Sequence, residues 1–316
     1  MALMAIVACR YAGGEVVPED SPPAIWPDYK EVTVPVNIAP MNFTLEKTTL
    51  LSDEEPAFSR LEARVEGADG SFIKGSGKRH VRFPMGGWAR LLEKNAGDSL
   101  LVTLMGWDGK QWHSYRPFTI YVNAQPIDYG MVFRYIAPGY EVYSKVGIYQ
   151  RELSSFRTSA IYENTLIPQT CANCHSFKQG DPEYFSLHVR GEKGATVLQK
   201  EGTFRYLDSR TDSTSSAFSY PSWHPDGRYI AYSLNKTYQS FHVTAEDRVE
   251  VYDLVSDIVI YDTQENCILA SDLLTPGAFE TFPNFSADGH SLYFCLASEQ
   301  YLPTEYRALM YNLCRV

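Results

Sequence analysis

One run of residues in this chain has types and spacing that carry an evident chemistry: Cys171-Ala172-Asn173-Cys174-His175. Two thiols three residues apart, followed at once by an imidazole, form the Cys-x-x-Cys-His attachment pattern of c-type haem. Each thiol can add to one vinyl group of the same porphyrin, and His175 then offers its ring to the iron as an axial ligand. Six cysteines and seven histidines in 316 residues give this spacing by chance in roughly one chain in 400 of this composition. The same thiols suit other chemistry. Zinc sites also use Cys-x-x-Cys but bring a second ligand pair at similar spacing, and Cys267, Cys295 and Cys314 are far apart and form no such pair. A Cys171–Cys174 disulfide or redox pair fits an exported protein.

A haem iron has room for a second axial ligand. His188, His224 and His242 lie downstream as candidates, and an iron left open on one side is the alternative. In Leu187-His188-Val189, strand alternation sets the imidazole opposite its two apolar neighbours. A second thiol with a readable chemistry is Cys9. It ends the apolar run MALMAIVAC, and Ile6-Val7-Ala8-Cys9 has the form of a bacterial lipobox, in which the cysteine is lipidated. The run is short for a signal peptide and carries no basic residue ahead of it. Residues 1–27 are therefore read as signal or lipobox plus tether, the tether rich in Gly and Pro.

The elements that must position these groups read as strands. Tyr220–Tyr232 (YPSWHPDGRYIAY) and Phe282–Phe294 (FPNFSADGHSLYF) are two copies of one pattern: aromatic-Pro-x-aromatic, then Asp-Gly, then an apolar strand. Asp226-Gly227 and Asp288-Gly289 supply tight hairpin turns. Asp257–Leu269 between them reads as strand, polar turn and strand. Each unit thus provides about four strands, one propeller blade. The offset of 62 residues (Asp288 minus Asp226) exceeds the ~40–50 of a blade, which implies an insertion at Lys236–Arg248.

Upstream, residues 28–123 show period-two alternation at Val32–Ile38, Leu61–Val65, Leu100–Leu104 and Phe118–Val122, with turns at Asp69-Gly70 and Asp108-Gly109. This spacing predicts a β-sandwich, with one short helix around Trp88, Leu91 and Leu92 and Gly97 at its end. Gly75-Ser76-Gly77-Lys78 lacks the remaining residues of a phosphate loop and is read as a loop. Asp53-Glu54-Glu55 reads as solvated surface. Residues 124–170 are a connector, and residues 171–316 hold the Cys-x-x-Cys-His segment and a partial propeller.

Composition narrows the function. The net charge of −10 argues against nucleic acid as a partner, since that requires a basic face. No apolar run reaches 18 residues, so contact with a membrane is expected only through a lipid anchor. There is no Gly-x-Ser-x-Gly elbow and no His-Glu-x-x-His, which leaves a hydrolase without support.

The repeats resemble the TolB-type β-propeller blades of the bacterial cell envelope, over about Phe185 to Phe294. The resemblance rests on Pro221, Trp223, Pro225, Asp226 and Gly227 in one copy and on Pro283, Phe285, Asp288 and Gly289 in the other. Tyr184–Gly202 looks like a degenerate blade ahead of them. The whole arrangement, with Gly147–Arg151, CANCHSF and Leu187–Gly191, is similar to envelope lipoproteins that join an N-terminal β domain, a Cys-x-x-Cys-His segment and a TolB-like propeller. The resemblance implies an all-β protein of the periplasm or outer membrane, lipid-anchored, with covalent haem c. The expected role is electron transfer or redox with an envelope or redox partner. The alternative is a non-enzymatic propeller scaffold that binds protein, with Cys-x-x-Cys-His as a structural or disulfide motif. The 133 residues from Tyr184 to Val316 suffice for two or three blades, so the propeller is expected to be incomplete and the chain shorter than its relatives.

Overall fold

The computed structural model describes residues 15–45, 57–136, 146–167, 170–212, 214, 216–241, 243, 249–269, 271–274, 278–297 and 308–316. Cys9, His242 and Asp53–Glu55 lie outside them. Among the described residues the protein is all-β apart from the helix at Met85–Lys94 and short 3-10 turns, and the chain divides into two compact units. The first holds residues up to Val132 together with Gln150–Ser159. The second holds Phe133–Tyr149 and Ala160–Val316.

The first unit contains β1 (Val16–Pro18), β2 (Ile25–Trp26), β3 (Val32–Pro35), β4 (Phe43–Leu45), β5 (Arg60–Gly67), β6 (Phe72–Gly77) and β7 (His80–Val81). It continues through α1 (Met85–Lys94), β8 (Ser99–Trp107), β9 (Trp112–Ser114) and β10 (Phe118–Asn123). A seven-stranded sheet runs β1-β9-β8-β10-β3, with β5 on β8 and β6 on β5, and a three-stranded sheet runs β2-β4-β7. Both sheets and the helix bury their apolar sides in one core. Leu61, Ala63 and Val65 alternate inward from β5, and Leu100, Val102 and Leu104 from β8. Phe43 and Val81 enter from the small sheet, and Trp88, Leu91 and Leu92 from α1. The two-sheet sandwich expected from the period-two pattern is therefore present. One element differs from expectation. Gly75–Gly77 is strand, not loop: it pairs with Leu61–Ala63. A Cβ at Gly77 would lie 1.8 Å from the His80 carbonyl, so the glycine answers to close packing of backbone on backbone.

The intervening chain forms β11 (Gly130–Ile136), β12 (Val146–Glu152), β13 (Thr158–Glu163) and a 3-10 turn at Asn164–Leu166. The division between the two units falls within these strands.

The second unit continues in consecutive antiparallel meanders. The first is β14 (Cys171–Lys178), β15 (Asp181–Arg190), β16 (Ala195–Lys200) and β17 (Thr203–Leu207). The second is β18 (Phe218–Trp223), β19 (Tyr229–Phe241), β20 (Val249–Asp262) and β21 (Cys267–Leu269). The third is β22 (Phe279–Phe285), β23 (Leu292–Ala297) and β24 (Asn312–Arg315). Their first strands succeed one another in space, β14 beside β18 and β18 beside β22, which is the β-propeller arrangement. One expectation is corrected. The first blade does not begin at Tyr184 behind the cysteine motif; Cys171–Lys178 is its first strand. The added length expected at Lys236–Arg248 takes the form of a lengthened hairpin: the β19–β20 ladder pairs Lys236 with Val255 and Phe241 with Val249, past a bulge at Lys236/Thr237.

The Asp-Gly turns behave as their residues demand. Gly227 and Gly289 both sit at φ +75, where a side chain is strained. Asp226 and Asp288 each accept a hydrogen bond from the backbone two residues on, at 2.7 and 3.0 Å. The first blade turns in two residues, Gln179 and Gly180, both at positive φ, the type I′ requirement. An added Cβ would lie 2.8 Å from the Tyr184 ring at Gly227 and 2.5 Å from the His224 imidazole at Gly289, whereas at Gly180 nothing lies within 4 Å. Gly180→Ala is expected to lose about 1 kcal/mol from backbone strain alone. Gly227→Ala and Gly289→Ala should lose about 2–3 kcal/mol each, as strain and crowding add. Urea unfolding midpoints that fall equally in all three variants would contradict this.

Candidate functional site

The Cys-x-x-Cys-His run lies on a recurring irregularity of the blades. In β14 the register against β15 shifts between Asn173 and Ser176: Asn173 pairs with His188 and Ser176 with Ser186, leaving one extra residue in β14. β18 does the same between Ser219 and Ser222, and β22 between Thr281 and Asn284. The first residue of each bulge has left-handed backbone: Cys174 at φ 53, Tyr220 at φ 47 and Phe282 at φ 54. Superposed by bulge, Asn173-Cys174-His175-Ser176-Phe177 matches Ser219-Tyr220-Pro221-Ser222-Trp223 and Thr281-Phe282-Pro283-Asn284-Phe285. The motif is a third copy of the repeat, with cysteine at the aromatic position and histidine at the proline position.

The same positions tie blade to blade. Trp223 Nε1 donates to the Ser176 carbonyl at 3.3 Å, and the Phe285 backbone N–H donates to Ser222 Oγ at 2.9 Å. Tyr220 and Phe282 meet edge to face, centroids 4.6 Å apart, and they remain 38% and 52% exposed.

Cys171 and Cys174 are free thiols, 7% and 8% exposed. A guanidinium N–H of Arg134 points to Cys171 Sγ at 3.2 Å, and Arg190, the cross-strand partner of Cys171, reaches Cys174 Sγ at 3.9 Å. Cys174 also lies near the Tyr220 hydroxyl. That phenol is pushed above its ordinary range by burial first and then by the charges of Cys174 and Asp253.

The histidines separate. His188 is brought to the motif, directly across from Asn173 on β15. It is 7% exposed, and its Nδ1 lies 3.0 Å from Thr196 Oγ1. Burial pushes its pKa down to about 4, with help from the Arg190 and Arg210 charges, so the ring is neutral at pH 7. His224 is engaged elsewhere, at the second blade's Asp-Gly turn. Its Nε2 lies 3.0 Å from the Gly289 carbonyl, its Nδ1 2.9 Å from Asp226, and its ring packs edge-on against Phe285. His175 is half-buried and engaged. Among the described residues no three His, Cys, Asp or Glu side chains converge as a metal-binding group.

The donor types for a covalent haem are present, but this backbone does not fit one. Thioether attachment requires both sulfurs to be open to one porphyrin edge. Here they are enclosed within a strand that pairs with β15 on one side and packs beside β18 on the other, each against a guanidinium.

Arg134, Arg190, Tyr220, Asn235 and Asp253 were not singled out from the sequence as site residues. Asn235 donates to Asp253 at 2.9 Å and accepts from Ser219 at 3.1 Å, linking strands whose sequence separation hides their neighbourhood. Only the equivalence of Tyr220-Pro221 with Cys174-His175 could have been found, by extending the repeat one copy upstream.

Comparison with known proteins yields no matching family profile and no matching curated sequence. Among solved structures the chain is similar to an oligogalacturonate lyase in complex with manganese, at 11% identity and a TM-score of 0.34, over 65% of this chain and 52% of that one. The chain thus spans about half the length of that protein. A likeness at this level adds nothing to what the strands themselves show.

The buried neutral His188 makes the second unit sensitive to acid. Its folded pKa lies below the unfolded value of about 6.5, so the unfolded chain binds the proton more readily. The contribution is complete above pH 6.5 and is lost as the pH falls toward 4, by up to about 3 kcal/mol. His188→Gln, which keeps a polar partner for Thr196, should flatten the stability profile over that window. A wild-type urea midpoint that does not change between pH 7 and 4.5 would refute this.

Proposed function

We propose that this chain is a non-enzymatic recognition module of the bacterial cell envelope, a TolB-like propeller scaffold that binds a protein partner, in which Cys-x-x-Cys-His is a structural part of a blade. The supporting observation is the equivalence of Cys174-His175 with Tyr220-Pro221 and Phe282-Pro283. One bulge, repeated three times, accounts for the position of the motif by blade architecture alone. Export and a lipid anchor at Cys9 rest on the Ile6–Cys9 lipobox and on the resemblance to envelope lipoproteins. The partner is assigned to the exposed Tyr220–Phe282 pair, since aromatic residues held rigidly at low entropic cost make good interface anchors.

The test begins with protein from a host that exports it and matures c-type cytochromes. The expected result is a colourless protein in which Cys171 and Cys174 both alkylate once unfolded. Haem that survives denaturation and acid–solvent extraction would overturn the reading. It would be replaced by electron transfer through a covalent haem at Cys171, Cys174 and His175, with His188 across the strand. A photo-crosslinking residue at Phe282 or Tyr220 should trap one envelope protein of defined mass that the same residue at Phe72, exposed in the first unit, does not trap. His175→Pro, which installs the residue of the other two blades, should leave stability within about 1 kcal/mol of wild type. A collapse of folding in that variant would contradict a structural role for the motif.

A further inference from the structure

Between the first and second blades lies a cavity of about 240 Å³. Its wall includes His188 and Arg190 from β15, Arg210 from the segment after β17, Ser219 from β18 and Asn235 from β19. The hairpin from β15 to β16 closes one side with Gly191 and Gly194, whose backbones hydrogen-bond across the turn at 3.0 Å. A Cβ on Gly194 would lie 2.5 Å from the Val189 carbonyl, so the tip has no side chain at that point to fill the space.

The chemistry of the wall is cationic. Two guanidiniums line the cavity, and among the described residues no carboxylate does. Among the described residues Arg190 makes no salt bridge, while Arg210, itself exposed, is held by Asp208 through Nε and a terminal nitrogen at 2.9 and 3.2 Å. Asp253 is engaged by Asn235 of the wall. Burial first, and then the charges of Arg190 and Arg210, hold the His188 imidazole neutral. With Nδ1 directed to Thr196, its Nε2 is the ring atom left for a ligand. Both arginines are exposed, and each guanidinium carries five N–H donors, more than its contacts on the protein use, so donors remain for an anion set over the imidazole.

We infer that this cavity binds the oxyanion of a small molecule, a carboxylate or a phosphate, held by Arg190 and Arg210 with His188 beneath it. Guanidinium matches both groups through paired N–H···O bonds. The volume lies below the ~300–1,000 Å³ of drug-sized sites, which restricts the ligand to a small molecule or a terminal group. The inference goes beyond the partner-binding reading and does not depend on it.

Calorimetric titration of the full chain at pH 7 and constant ionic strength tests it, with inorganic phosphate and succinate as separate probes against a chloride background. Saturable one-to-one binding of at least one probe is expected, and the probe that binds tells a phosphate ligand from a carboxylate. Arg190→Gln and Arg210→Gln should each weaken that binding at least tenfold. Lys193→Gln, which removes an exposed charge from the same hairpin without touching the cavity wall, should change it less than twofold. Circular dichroism confirms that each variant folds, and Arg190→Lys supplies a charge-preserving variant of intermediate affinity. Failure of both probes to saturate would overturn the inference. So would arginine variants that bind as the wild type does, or an equal loss in Lys193→Gln. None of these outcomes bears on whether Tyr220 and Phe282 engage a protein.

Discussion

The second unit depends on one local constraint: a single extra residue in the first strand of each blade, accommodated by a left-handed backbone at Cys174, Tyr220 and Phe282. A non-glycine residue in that conformation costs roughly 1–2 kcal/mol, so it persists only where the surroundings over-determine it. Here regular pairing on either side of each bulge supplies that constraint. The bulge sets the register of the rest of its strand. It brings Ser176 and Ser222 to where the next blade's Trp223 and Phe285 can bond to them, and it aims the bulged side chains away from the ladder. β-Bulges re-aim side chains in this way at functional sites.

The two units bury themselves differently. The first is a conventional apolar core between two sheets and a helix. In the second, apolar clusters such as Phe218, Tyr232 and Tyr261 are stitched together by buried polar bonds from strand to strand. Ser186 pairs with Tyr232 at 2.7 Å and Ser233 with Thr281 at 3.1 Å, and Ser256 donates to the Glu280 carbonyl at 2.8 Å. Hydroxyls desolvated in this way are expensive when unmatched and so select one alignment of neighbouring blades. The same polar seam leaves room for charge, and the arginine-lined cavity beside His188 lies on it.

That seam also explains why a short motif can be spelled alike for two reasons. Cys-x-x-Cys-His names a cofactor when the peptide is free to wrap a porphyrin. In a paired strand, the same letters fill positions that elsewhere take an aromatic residue and a proline. The distinction lies in what encloses the thiols, here Arg134, Arg190 and the neighbouring strands, and no spacing rule carries that information.

Period and turn chemistry were legible in the sequence because they are local. The alternation of Leu61, Ala63 and Val65, the helical spacing of Trp88, Leu91 and Leu92, and the Asp-Gly turns at Gly227 and Gly289 each arise from residues a few positions apart, and the structure carries all of them. The all-β class and the blade repeat came from the same signals. Everything decided across strands needed tertiary structure. The placement of Cys171–Lys178 as a blade's first strand required the bulge register against β15. His188 was separated from His224 by pairing, which sets one opposite Asn173 and the other on a distant turn. The gathering of Arg190 and Arg210 around one imidazole joins residues twenty positions apart through a sheet and a loop. Hydrophobic periodicity reports which side of a strand is buried, but which strand lies beside it is set by long-range packing, and the chemistry of this protein is built at those junctions.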